Sequence, residues 1–73
     1  MSSKLPSVNA KYLIKVIEKK GFKKVRQSGS HAIYKNNSGV RTTIPIHSNK
    51  IIGKGLLKQI MRDADLTVED IVK

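Results

Sequence analysis

The sequence predicts an α+β fold, in which a three-stranded antiparallel sheet is covered on one face by helices. Two observations predict it. Apolar residues recur at the three- and four-residue spacing of a helix near both ends of the chain, whereas in the middle they alternate with polar residues, as in half-buried strands. Short clusters of Gly, Ser and Asn separate the middle segments, as expected of hairpins.

The first element is predicted to be a helix with Ser7 as its N-cap, running to about Lys20. Residues 1–6 before it are expected to be a short flexible start. Four apolar residues form one stripe along this helix: Ala10, Leu13, Ile14 and Ile17. Gly21 then supplies the C-terminal stop, because glycine readily adopts the left-handed backbone that ends many helices.

Three strands follow, predicted over residues 22–27, 31–36 and 40–46, with tight turns at 28–30 and 37–39. The first strand is polar enough to indicate a sheet edge or a solvated face. The third strand alternates Val40, Thr42, Ile44 and Ile46 with Arg41 and Thr43. Pro45 indicates that this strand ends there or lies at an edge, since proline cannot donate a hydrogen bond to a neighbouring strand.

A loop is predicted over residues 47–55, and a second helix from Leu56 to about Ala64. Thr67 is expected to cap a final short helix, with Asp70 three residues on completing an approximate capping box. The residues expected to pack this helix against the body are Val68, Ile71 and Val72. The resulting α-β-β-β-α order is that of a double-stranded-RNA-binding domain, although a fold alone does not determine function.

The composition limits the class of protein. With 73 residues the chain is long enough for one domain, expected to span residues 1–73. It contains no Cys, two His and five Asp or Glu, so disulfides and thiolate metal sites are excluded, and neither a metal nor another cofactor is expected. No apolar run reaches the length of a signal peptide or a transmembrane span, which predicts a cytoplasmic protein.

The formal net charge is +10, and its distribution is uneven. Residues 1–62 carry fourteen Lys or Arg and one acidic residue, whereas residues 63–73 carry four acidic residues and one Lys. Solubility of a small domain needs a net charge of only roughly 2–8, so the excess indicates a polyanionic partner. Nucleic acid is favoured. An anionic membrane surface is the weaker alternative, because no long amphipathic helix with bulky apolar anchors is evident.

Gly29-Ser30-His31 is the most informative short motif. Glycine permits a sharp turn or the close approach of a phosphate, and a serine hydroxyl with turn amides can hold a phosphate oxygen. His31 would stand at the start of a strand, where an imidazole can transfer protons near neutral pH. On this motif alone the ordinary alternative, a solvated or packed histidine, stays open.

His47 is the second candidate acid or base, with an auxiliary role. If a tight turn joins strands two and three, the residue numbers of the two members of each cross-strand pair add up to about 75–77. His31 then lies opposite residues 44–46, and so close to His47. RNA cleavage needs such a pair, because the 2′-OH loses a proton while the 5′-oxygen gains one. The pattern does not decide whether Ile33, together with His31, or Ala32, together with Tyr34, faces the core.

Five basic side chains are candidate phosphate contacts: Lys35, Arg41, Lys50, Lys54 and Lys58. The first two lie on the predicted hairpin. The other three cluster at the start of the second helix, where the helix dipole and free backbone amides favour anions. A solvated basic face is the alternative for all five.

Several stretches together resemble the HicA toxin family. Residues 26–34 (Arg-Gln-Ser-Gly-Ser-His-Ala-Ile-Tyr) resemble the family's second-strand motif, and residues 44–48 (Ile-Pro-Ile-His-Ser) resemble the end of its third strand. Residues 55–60 and 66–70 resemble its closing helix and capped tail. The resemblance spans roughly residues 7–72 in the right order, which is more specific than Gly-Ser-His alone.

The resemblance implies a metal-independent messenger-RNA endonuclease on an RNA-binding-type fold, inhibited by a HicB antitoxin that covers its active face. By the motif, the essential histidine is His31, with Gly29 and Ser30 in the turn that shapes the site. Many members carry a second histidine directly after the first, where this chain has Ala32. That difference removes one candidate proton carrier, and either gives His47 more weight or lowers the expected activity.

Two other classes of protein remain as alternatives. A non-catalytic double-stranded-RNA-binding module would share the fold and the charge without needing an activated histidine, so an unaltered phenotype of His31→Ala would favour it. A small DNA-binding regulator is disfavoured, because no pair of predicted helices forms a helix-turn-helix.

Overall fold

The computed structural model describes residues 6–46 and 50–72, and it confirms the predicted α+β order. The elements in chain order are α1 (Ala10–Lys19), β1 (Lys23–Ser28), β2 (His31–Lys35), β3 (Arg41–Pro45), α2 (Lys54–Ala64) and α3 (Val68–Val72). Apart from Pro6, the predicted flexible start lies outside the described residues. None of the helices within the described ranges is long and apolar enough to cross a membrane.

The strands form one antiparallel sheet in the order β1-β2-β3, and the helices cover one of its faces. Burial alternates along the strands: Ala32 and Tyr34 of β2 and Thr42 and Ile44 of β3 are buried, whereas their neighbours are exposed or half-buried. All six residues of β1 are exposed, which agrees with the predicted polar edge strand. The architecture is that of a double-stranded-RNA-binding domain.

The core is mostly aliphatic, with Phe22 and Tyr34 as its buried aromatic residues. Its largest fully buried side chains are Leu13, Ile17, Ile44, Leu57, Ile60 and Ile71. These residues come from β3 and from all three helices, and they belong to one hydrophobic cluster. The Tyr12 hydroxyl also donates a hydrogen bond to the Ile71 carbonyl, which ties α1 to α3.

The start of α1 differs from the prediction. Its N-cap is Asn9, whose Oδ1 accepts a hydrogen bond from the Tyr12 N–H at 2.9 Å. The prediction of Ser7 as the cap is wrong because the chain is still extended after it. Asn9 forms an antiparallel bridge with Ile51, and the helix can begin only beyond that bridge.

Gly21 ends α1 as predicted, with a φ of +94°. Its N–H donates to the Glu18 carbonyl, and the Phe22 N–H donates to the Ile17 carbonyl, both at 3.1 Å. These two bonds form a Schellman motif. Phe22, predicted as the first strand residue, instead closes this cap and is buried, so β1 begins at Lys23.

The second and third strands are each shorter than predicted. β2 ends at Lys35 because Asn36 organises the following turn: its Oδ1 accepts hydrogen bonds from the N–H groups of Ser38 at 3.0 Å and Val40 at 2.8 Å. Val40 therefore precedes β3, which begins at Arg41. Ile46 lies beyond the end of β3.

The predicted start of α2 at Leu56 is wrong, because the helix begins two residues earlier, at Lys54. Gly53 is the N-cap, and its carbonyl accepts the Leu57 N–H at 2.8 Å. The predicted loop over residues 47–55 is therefore too long, since Gly55 lies inside the helix. A glycine inside a helix costs only about 1 kcal/mol, and burial of Leu57 offsets that cost.

The predicted capping box at α3 is confirmed. Thr67 Oγ1 accepts the Asp70 N–H at 3.2 Å, and Asp70 Oδ2 accepts the Thr67 N–H at 2.9 Å. Ile71 is buried and Val68 packs against the core, as predicted. The prediction for Val72 is wrong: it is exposed, because the helix is little more than one turn long and presents only one side to the body.

Candidate active site

The uncovered face of the sheet, here called the open face, carries the candidate site. Paired residues on neighbouring strands point to the same side of a sheet. The register therefore assigns to this face Lys23, Arg26, Ser28, His31, Ile33, Lys35, Arg41, Thr43 and Pro45. Four of these nine residues are Lys or Arg and none is Asp or Glu, so the open face attracts polyanions.

His31 lies at one end of the open face, as the first residue of β2. Its strand partners are Ser28 and Pro45, and the pairing with Pro45 agrees with the register predicted from the tight turn. Because Ala32 and Tyr34 are buried, the structure decides the orientation that the sequence left open. His31 is exposed to solvent on the open face.

The turn before His31 is held from both sides. Gly29 has a φ of +59°, in the left-handed region that glycine adopts without strain, and it occupies the first central position of a two-residue hairpin loop. Gln27 Nε2 donates to the Gly29 carbonyl at 3.0 Å. On the other side, the Ile46 N–H donates to the Ser30 carbonyl. These contacts fix the backbone from which the imidazole projects.

Lys23, Lys35 and Arg41 form a line across the three strands, here called the cationic row. Lys35 pairs with both of the other two residues, and all three are exposed. Lys35 lies four residues from His31 on the same strand, a separation of about 13 Å at the rise of a β-strand. The structure thus brings two predicted phosphate contacts, Lys35 and Arg41, onto the face of His31.

Sequence reasoning missed the two basic residues that β1 adds to this face, Lys23 and Arg26. The strand contains a β-bulge: its register shifts between Lys24 and Arg26, so that Val25 is an extra residue. Because this strand is mostly polar and contains a bulge, its sequence shows no alternation of apolar and polar residues from which the face of each side chain could be predicted. Counting back from the hairpin turn would have found Arg26, since it lies two residues before Ser28 and therefore on the same face.

None of the three basic residues predicted near the second helix lies on the open face itself. Lys54 and Lys58 are exposed on α2, which packs against the covered side of β3. Lys50 lies closer to His31 than they do. It lines a groove of about 300 Å³ together with Leu56 and Pro45, and Pro45 is the strand partner of His31. The structure therefore places Lys50 beside the margin of the open face and the other two on the helical layer.

His47 lies outside the described residues, and its auxiliary role stays a prediction. The residue before it, Ile46, is hydrogen-bonded to the turn that precedes His31. No group of three or more His, Cys, Asp or Glu side chains within residues 6–46 and 50–72 is placed to hold a metal ion.

Contacts within the fold shift the pKa values of two other side chains, Tyr34 and Asp70. Burial raises the pKa of the Tyr34 phenol, and the nearby Glu18 carboxylate raises it further, so Tyr34 keeps its proton at neutral pH. The hydrogen bond from the Thr67 backbone N–H lowers the pKa of Asp70, and Lys20, whose Nζ is 3.4 Å from Asp70 Oδ2, contributes as well. Asp70 thus serves the cap of α3.

The fold and this face define a class: a small, basic domain with the layout of a double-stranded-RNA-binding domain and a cationic open sheet face around one histidine. A family model described as the HicA toxin of bacterial toxin-antitoxin matches residues 10–66. The chain belongs to this family of toxins, and the family implies an antitoxin as its partner. No curated protein matches the chain.

Proposed function

We propose that this protein is the toxin of a type II toxin-antitoxin system and acts as an endoribonuclease on messenger RNA, with His31 as the catalytic group and no metal ion. The observation that carries the proposal is the setting of His31. Its imidazole is exposed on a face with four cations and no carboxylate, directly after an anchored turn.

The proposed reaction is an intramolecular transesterification of RNA. A ring nitrogen of His31 takes the proton of a ribose 2′-OH as general base, and the 2′-oxygen forms a bond to the adjacent phosphorus. The bond from phosphorus to the 5′-oxygen breaks, and this oxygen takes a proton from His47. One product ends in a 2′,3′-cyclic phosphate, and the other begins with a 5′-OH.

The residues around His31 supply substrate binding in this proposal. The hydroxyl and backbone amides at Gly29 and Ser30 face the phosphate that is cut. Lys35 and Arg41, in the cationic row, hold the RNA backbone on the open face. RNA that extends past that face, toward the helical layer, contacts Lys50, Lys54 and Lys58. The position of Lys50 beside Pro45 supports this path.

The salt dependence of RNA binding is expected to report these contacts. With an uncleavable, fully 2′-O-methylated single-stranded RNA and about four to six phosphate contacts, the slope of log affinity against log salt should be roughly −3 to −4. The pair Lys35→Gln and Arg41→Gln should make the slope shallower by about 1.4, since each lost contact to a single strand removes about 0.7. The pair Lys54→Gln and Lys58→Gln, the matched control for charge, should alter the slope only with long RNA. A larger effect of the control pair on short RNA would place the substrate on the helical layer.

His47→Ala is expected to slow RNA cleavage by about 10²-fold at most, because it removes one proton-transfer partner while water can still protonate the leaving oxygen. Single-turnover cleavage rates measure the effect, with circular dichroism as the control for folding. Loss of all activity in a folded His47→Ala protein would contradict an auxiliary role and make His47 an equal partner of His31.

A non-catalytic double-stranded-RNA-binding module is the second candidate, and the fold itself favours it. One experiment separates the two functions. The purified protein is incubated with structured and with unstructured RNA in EDTA, and both binding and strand scission are measured. We expect scission in EDTA. Binding to duplex RNA without scission would overturn the nuclease and support the binding module.

The antitoxin partner is proposed to be a HicB-type protein that covers the open face. The charge of the toxin supports this position, because the face carries no Asp or Glu and would pair with an acidic surface. Covering His31 and the cationic row together would exclude RNA from both the catalytic group and its binding residues.

A further inference from the structure

Arg26 is the cation of the open face whose backbone lies nearest to that of His31. Ser28 pairs with His31, and Arg26 precedes it by two residues on the same strand, opposite Ile33. Arg26 is thus one step of about 7 Å along the sheet from His31, whereas the cationic row lies two steps away, at about 13 Å. The reach of an arginine side chain spans the shorter of these distances.

The surroundings of Arg26 leave its charge available. It is exposed, and its neighbours across β2 and β3 are Ile33 and Thr43, which are uncharged. The nearest basic residue on its own strand, Lys24, points to the other side of the sheet, where it donates a hydrogen bond from Nζ to Gln27 Oε1 at 3.0 Å. No carboxylate of the open face neutralises the guanidinium.

The hairpin turn fixes the side of the sheet on which Arg26 lies. Because the two-residue loop sets Ser28 opposite His31, every second residue back along β1 shares the face of His31 until the bulge. The bulge at Val25 comes directly before Arg26. β-Bulges re-aim side chains and occur often beside active sites. The catalytic histidine and Arg26 are thus placed by the same hairpin.

We propose that Arg26 holds the phosphate that is cut, by donating two N–H groups to its non-bridging oxygens, while the cationic row holds a neighbouring phosphate. This inference rests on the proposed nuclease function of His31. Negative charge on the non-bridging oxygens grows when the 2′-oxygen attacks phosphorus, and a guanidinium matches two such oxygens in a planar, bidentate geometry. Arg26 then stabilises the transition state more than the bound substrate, whereas Lys23, Lys35 and Arg41 mainly supply affinity.

The test compares Arg26→Gln and Arg26→Lys with two reference variants in the full chain. Arg26→Gln should lower kcat by about 10²–10³-fold, the loss typical of one preorganised donor to transition-state charge. Arg26→Lys should recover part of this loss, because it restores the charge without the bidentate geometry. Lys35→Gln should instead raise KM, with a smaller change in kcat. Arg62→Gln, which removes the same type of charge from α2, is the matched control and should behave as the wild type.

Affinity for a fully 2′-O-methylated RNA separates a role of Arg26 in the reaction from a role in maintaining the structure. The Arg26→Gln protein should bind this RNA nearly as well as the Arg62→Gln protein does. Two results would overturn the role of Arg26 alone: wild-type kcat in Arg26→Gln, or a loss confined to affinity, as expected for Lys35→Gln. Failure of the wild-type protein to cut RNA would overturn the proposed nuclease itself, and with it this inference.

Discussion

His31→Ala is expected to abolish RNA cleavage and growth inhibition while the protein stays folded and still binds RNA. The imidazole is the proposed base for the 2′-OH, and no other residue of the open face can take up a proton near neutral pH in its place. His31 is exposed, so its removal leaves no cavity in the core. RNA binding should change by no more than about threefold, because phosphate contacts of the Lys and Arg side chains supply most of the affinity.

Three measurements on each protein check this result: circular dichroism, binding of 2′-O-methylated RNA, and cleavage of unmodified RNA in EDTA. Thr43→Ala is the matched control, since it truncates another exposed side chain of the same face without touching the proposed chemistry. A folded His31→Ala protein that cuts RNA at the parental rate would show that the mechanism is wrong.

Ile44→Ala is expected to unfold most of the protein. Ile44 is fully buried in β3 and belongs to the hydrophobic cluster that joins the sheet to the helices. Removing such a side chain typically costs about 2–5 kcal/mol. A domain of this size rarely has more than about 3–5 kcal/mol of stability in total, so the loss is comparable with the whole free energy of unfolding.

Urea unfolding followed by circular dichroism measures the effect of Ile44→Ala. Thr43→Ala, one residue earlier on the opposite side of the same strand, should change the free energy of unfolding by no more than about 0.5 kcal/mol. Equal unfolding midpoints for Ile44→Ala and the wild type would contradict the assignment of Ile44 to the core.

The hairpins and the order of elements could be predicted because short-range signals determine them. The tight turn between β2 and β3 restricts the register, and His31 indeed pairs with Pro45. Gly21 and the Thr67–Asp70 pair end one helix and begin another through contacts within a few residues. Such signals can be recognised in the sequence without knowledge of the tertiary structure.

The start of α1 and the face of His31 could not be predicted because long-range contacts decide them. Asn9 rather than Ser7 caps α1, since a bridge to Ile51 keeps the preceding chain extended. His31 faces solvent because the helices bury Ala32 on the other side of the sheet. Neither contact can be predicted from the residues that are its neighbours in the sequence.

The candidate site was predicted in part. Lys35 and Arg41 were expected on the hairpin and lie on the open face, whereas Lys54 and Lys58 lie on the helical layer. Arg26 was missed as a member of this face because the β-bulge beside it disrupts the polar pattern of β1. His31 itself was indicated by its motif, and the structure adds the face and the neighbours on which its proposed chemistry depends.

The chemical nature of the new RNA ends shows whether the 2′-oxygen attacks the phosphorus. Wild-type protein cuts unmodified RNA in EDTA, and the termini of both products are identified by mass spectrometry. We predict a 2′,3′-cyclic phosphate on one product and a 5′-OH on the other, with no cleavage of a 2′-O-methylated RNA of the same sequence. Products that carry a 3′-OH and a 5′-phosphate, or cleavage of the 2′-O-methylated RNA, would contradict attack by the 2′-oxygen and the role of His31 as its base.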